Sequence, residues 1–62
     1  MSDPARASEL DARISAIREN IRELVEQAAA QSGAADESLI ADRIAAHEAQ
    51  LAAAVKEREA LG

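Results

Sequence analysis

Residues 31–38, QSGAADES, decide whether this 62-residue chain is one long helix or two. Gly33 suits the left-handed position just past a helix C-terminus, because it has no Cβ to clash there. Asp36 suits the N-cap of a following helix, where its carboxylate can accept from unpaired backbone N–H groups. A single helix running through Gly33 is the competing possibility, at a cost of only about 1 kcal/mol relative to alanine. A stop signal followed at once by a start signal favours a break, with a turn over about 33–35. Helices joined by so short a connection must be antiparallel neighbours, so an αα-hairpin is predicted.

Working outward toward the N-terminus, Asp3 stands where an N-cap is wanted and Pro4 at the first helical position, where its missing N–H costs nothing. Helix one is predicted over about 4–32. Its apolar residues fall at 10, 14, 17, 21, 24 and 28, in alternating steps of four and three. This is a heptad seam, with Ala7, Ile14, Ile21 and Ala28 at a and Leu10, Ile17 and Leu24 at d.

Toward the C-terminus, helix two is predicted over about 36–61. Ile40, Ile44, Leu51 and Val55 make one stripe, and the slot between Ile44 and Leu51 is filled by His47, with Glu48 beside it. Eight alanines between 41 and 60 widen the apolar face without adding bulk, which permits a close approach of neighbouring helices. Lys56 and Arg58 complement the negative end of the helix dipole. With the turn centred near Ala34, facing residues have numbers summing to about 68: Leu24 meets Ile44, Ile21 meets His47, Ile17 meets Leu51, and Ile14 meets Ala54 and Val55.

Size and composition bear on what surrounds this hairpin. Folded chains of this length bury only roughly 60% of their unfolded surface. The large aliphatic side chains number 12, and Phe, Tyr, Trp and Cys are absent, so neither a large core nor disulfides nor a thiolate zinc site can hold the fold. Oligomerisation is the remaining support. Two helices cannot enclose the stripe, and a twofold pair of hairpins forming a homodimeric four-helix bundle is the economical closure. The expected oligomer interface is Leu10, Ile14, Ile17, Ile21, Leu24, Ile40, Ile44, His47, Leu51 and Val55. A trimer or a hetero-complex would satisfy the same pattern. The net charge of −5 disfavours nonspecific nucleic-acid binding and attraction to anionic membranes. No apolar run approaches the ~20 residues that span a bilayer, and MSDPARASEL lacks the basic and apolar regions of a signal peptide, so a cytoplasmic address is expected.

Candidate chemistry is sparse. His47 could be a metal ligand, a general base or a pH-sensitive register key near a twofold axis. A helical site wants partners three or four residues away, and those positions hold Arg43, Ile44, Gln50 and Leu51, none an obvious ligand. A core-edge histidine satisfied by a backbone carbonyl, a water or Asn20 is therefore expected. If it is buried and neutral, stability should be full above the ordinary imidazole range and fall as acid protonates the ring. Arg6, Arg13, Asn20 and Gln27, all at g in helix one, form a polar row that could face an acidic or nucleic-acid partner, with Arg18 and Arg22 nearby. Glu9 four residues before Arg13, and Glu19 and Glu26 beside Arg22, favour a solvated, partly self-neutralised face that sets helix pairing.

Ser2, Ser8, Ser32 and Ser38 lie near expected helix ends, and Ser15 falls on the outer face away from the histidine, so no nucleophile is activated. Carboxylates such as Glu19 with Glu23 and Glu57 with Glu59 are placed in water, without the burial that would raise one for acid catalysis. No phosphate-cradling glycine loop exists. Neither an enzyme nor a cofactor or metal is expected.

In length, acidity and hairpin layout the chain resembles the Rop family of dimeric helical-hairpin RNA-binding proteins. The resemblance implies a four-helix bundle and an RNA-binding regulatory role. No motif aligns, and the aromatic residue on the RNA-facing helices of that family has no counterpart here, so no functional residue carries over. Residues 12–26, ARISAIRENIRELVE, also have a beat of Arg and aliphatics similar to the first helix of the chorismate mutase family. That family needs a third helix and further cationic residues around its anion site, for which this chain has no room.

The expectation from sequence is a non-enzymatic helical interaction or regulatory protein that associates with itself, and with a further protein as second partner. The rivals are an RNA-binding regulator of the Rop type and a purely structural oligomerisation segment of a larger protein.

Overall fold

The structure, a computed structural model, describes residues 3–30 and 34–61, with the backbone alone for 34–37. Two helices pack along their length: α1, Pro4–Ala30, and α2, Ala34–Ala60. Each has 27 residues, a rod of about 40 Å at 1.5 Å per residue. The molecule measures 49 × 14 × 10 Å. Its radius of gyration of 14.5 Å exceeds the roughly 11 Å of a compact domain of this length, as a single layer of two rods requires.

The start of α1 follows its capping residue. The backbone N–H groups of Ala5 and Arg6 donate to Asp3 Oδ1 at 3.1 and 3.2 Å, and the N–H of Ala7 donates to the Asp3 carbonyl at 2.9 Å. Pro4 has no N–H to satisfy, so one carboxylate oxygen serves the two donors of the first turn that most need it. At the other break, Gly33 and the expected end of helix one at 31–32 lie outside the described residues. Helix two begins at Ala34, two residues before the predicted start, so Asp36 lies inside the helix and is not its cap. Alanine has the highest helix propensity of any residue, and the Ala34–Ala35 pair extends the helix back toward the glycine. At its far end the Leu61 N–H donates to the Arg58 carbonyl at 3.2 Å, a tightened last turn, with Arg58 itself as the basic residue near the dipole's negative end.

Burial follows the heptad. On α1 the seam residues Ala7, Leu10, Ile14, Ile17, Ile21, Leu24 and Ala28 are buried or half-buried, and every other residue is exposed except Arg6. On α2 the same stepping of four and three picks out Ile40, Ile44, His47, Leu51, Ala54 and Arg58, and it continues to Leu61 just past the helix end. Ile40, His47, Ala54 and Leu61 then take d, and Ile44, Leu51 and Arg58 take a. The predicted stripe jumped from Leu51 to Val55 because valine is the larger apolar residue. The structure puts Ala54 in the seam at 4% exposure and leaves Val55 half-buried at the neighbouring e position. Where two helices come close, position on the wheel decides burial and a small side chain fits best.

Among the described residues those buried in the hairpin are Leu10, Ile17, Ile40 and Ala54, and all four are d residues. The large a residues, Ile14, Ile21, Ile44 and Leu51, are only half-buried. Around a helical wheel d neighbours g, whereas a neighbours e. The hairpin therefore has two unequal faces, one showing d and g, the other showing a and e.

Candidate functional site

On the d/g face, long polar side chains border the core and one pair of them spans it. Arg6 Nη2 donates to Glu57 Oε1 at 2.7 Å, joining g positions of the two helices across the seam. Farther along, Arg13, Gln50 and Glu57 line an open cleft with Ile17, Ala53 and Ala54. A second cleft follows, between Asn20, Glu23, Leu24 and Gln27 of α1 and Arg43 and His47 of α2. The Arg6 guanidinium is held above its already high ordinary value, first by the hydrogen bond to Glu57 and then by that carboxylate's charge. Partial loss of water opposes this, and Glu9 at 3.6 Å adds a smaller push upward.

The polar row expected from sequence thus divides. Arg6 is committed to Glu57, while Arg13, Asn20 and Gln27 are exposed along the rims of the two clefts. Of the intrahelical pairs foreseen, Arg22 with Glu26 forms at 3.5 Å, and Arg6 rather than Arg13 takes Glu9.

His47 stands at d, half-buried, in the middle of α2. Its Nδ1 lies 2.8 Å from the carbonyl oxygen of Arg43, one turn earlier. A carbonyl can only accept, so Nδ1 is the donor in this contact. Of the three partners anticipated for the ring, the backbone carbonyl is the one it takes, and Asn20 lines the same cleft. Among the described residues no group of three or more His, Cys, Asp or Glu is placed to hold a metal ion. Ser8, Ser15 and Ser38 are exposed, Glu19, Glu23 and Glu59 likewise, and Glu57 serves the Arg6 clasp.

On the a/e face the row of half-buried aliphatics, Ile14, Ile21, Ile44 and Leu51, is flanked by Val25, which is 50% exposed, and by half-buried Val55. Near the N-terminus of α1 this face is closed by Arg58, whose Nε donates to Asp11 Oδ1 at 2.9 Å. That clasp was not foreseen. The signal was present in the stepping of four and three, which reaches 58, but a charged residue at a seam position is read as a surface residue until its stem is seen lying across the core.

The ten residues expected at an oligomer interface therefore lie in two rows. Leu10, Ile17, Leu24, Ile40 and His47 are d residues bordered by the polar g column, and Ile14, Ile21, Ile44 and Leu51 are a residues of the other face, with Val55 at its edge. None of the helices is long and apolar enough to cross a membrane, among the described residues. No family model matches the chain, and neither a curated protein nor a solved structure is matched by it.

Proposed function

We propose that this protein is a non-enzymatic interaction module that works as a homodimer, a four-helix bundle made from two hairpins. The observation that carries the proposal is the half-buried a row. Ile14, Ile21, Ile44 and Leu51 are all large aliphatics, and the hairpin alone leaves them half-buried. The accessible surface supports the same reading. It is 4557 Å², against about 3,800 Å² for a compact monomer of 6.5 kDa. The difference approaches the ~800 Å² per partner buried in a standard protein–protein interface. In this reading the polar faces of the dimer, with Arg13, Asn20 and Gln27 along their clefts, are what a further protein would engage.

Sedimentation equilibrium tests the dimer. A species of twice the 6.5 kDa chain mass is expected at tens of micromolar, with a thermal midpoint that rises with protein concentration. A single monomeric species up to about 0.5 mM, where even weak association of Kd ~100 μM would be evident, removes the proposal.

A further inference from the structure

Resting on that dimer, we propose that the second copy covers the a/e face, and that it does so with α1 of each chain beside α2 of the other. The choice of face follows from burial. The d residues Leu10, Ile17, Ile40 and Ala54 are already withdrawn from water, and at the open end Arg6 and Glu57 span the seam beside them. A second copy placed there would have to accommodate that clasp and strip water from the exposed polar residues Arg13, Asn20, Gln27, Arg43 and Gln50. The a/e face has four large aliphatics half-open, two valines beside them, and alanines 41, 45 and 52 on the flank of α2, which let another helix approach closely.

The arrangement follows from charge. Two e residues of this face, Arg18 and Glu48, make no ion pair among the described residues. They also sit at the middle of their helices: Arg18 follows Ile17, the midpoint of α1, and Glu48 follows His47, the midpoint of α2. Two hairpins can close face to face about either of two twofold axes. If the axis runs across the helices, α1 lies on α1 and α2 on α2, and midpoint residues meet their own copies. Arg18 would then oppose Arg18, and Glu48 would oppose Glu48. If the axis runs along the helices, α1 lies on the partner's α2 in the register already used inside the hairpin. Arg18 is then level with the partner's Glu48, and the same pair forms twice by symmetry. Like charges set against each other at an interface are strongly disfavoured, and opposite charges fix orientation. The second arrangement brings both turns to one end of the bundle. It also leaves His47, a d residue, on the outward face with Asn20 and Arg43, away from its symmetry mate.

Dimer dissociation constants from analytical ultracentrifugation of the full chain test face and arrangement separately, with circular dichroism confirming that each variant stays helical. Val25 and Leu39 are equally exposed, at 50% and 53%, and lie on opposite faces, Val25 at e and Leu39 beside the g column. Val25→Arg is expected to raise Kd by at least about 30-fold, while Leu39→Arg leaves it within about twofold, since only the first buries a charge among aliphatics. The reverse ranking overturns the choice of face. Glu48→Arg is expected to raise Kd about tenfold, and Arg18→Glu added to it to restore the value within about threefold. No change in either variant overturns the arrangement, because opposing Glu48 copies would merely become opposing Arg copies. R18C chains that join by a disulfide without further engineering overturn it as well. A wild type that never dimerises fails at the first measurement, before any variant is compared, and removes the self-association proposal with this one.

Discussion

The open end of the hairpin and its middle solve the same problem differently. At the open end, Leu10 is 0% exposed, held between the Arg6–Glu57 clasp on one face and the Asp11–Arg58 clasp on the other. In the middle, Ile21, Leu24, Ile44 and His47 are all half-buried, and no ion pair crosses the seam among the described residues. Both regions accept a polar residue into the seam, Arg58 in one and His47 in the other. Arg58 reaches across to the opposite helix, so its satisfaction also closes the interface. His47 is satisfied by the carbonyl of its own helix, which does nothing to hold the helices together. The turn limits how far the helices can part nearby, whereas the open end is free to fray, and that is where the cross-helix bonds are found.

This contrast is most easily broken with one residue type in two places. Leu10 and Leu24 are both leucines at d in α1. Leu10→Ala is expected to cost about 3 kcal/mol in urea denaturation, in the range of fully buried leucine truncations, and Leu24→Ala about half of that, because its site is already partly wet. Equal costs would show that the middle is as tightly closed as the end. The next largest effect has the opposite sign. His47→Leu should stabilise the hairpin by about 1 kcal/mol, since it replaces a self-satisfied imidazole by an aliphatic in a half-buried seam slot. A loss of stability would mean that the ring bonds across the seam after all.

The same contrast explains how much could be read from the chain. Helix one was legible almost residue by residue, because its Leu and Ile positions alternate by four and three and Asp3–Pro4 mark its start. In helix two the eight alanines blur the pattern: a stripe drawn through the largest residues goes to Val55, whereas packing selects Ala54. Propensity likewise overrode capping at Asp36. The inequality of the two faces is hardly legible at all. It depends on whether long g side chains lie across the seam or point into water, and Arg6 and Glu57, 51 positions apart, reveal their pairing only when the helices are set side by side. The polar row was visible as a row, but not that its first member would be withdrawn from it.

The smallest effects lie in the clasps, and they sharpen the comparison by separating packing from charge. Arg58→Ala is expected to cost about 1 kcal/mol, more than Asp11→Ala, because the arginine stem covers part of the core as well as carrying the charge. The Arg6–Glu57 clasp should respond to salt instead of alkali. A cation whose pKa is raised by folding keeps its contribution at every pH below its unfolded value and loses it only as the pH rises through the folded one. For Arg6, already far above neutrality, that window lies beyond any pH at which stability is measured. Raising NaCl from about 0.05 to 0.5 M should therefore lower the urea midpoint of the wild type relative to that of Arg6→Ala, since screening acts on an exposed pair that the variant lacks while the Asp11–Arg58 and Arg22–Glu26 pairs are common to both. A wild type and variant that respond identically to salt would show that the Arg6–Glu57 contact contributes nothing measurable, and that the open end is held by the burial of Leu10 and by the Arg58 side of the seam.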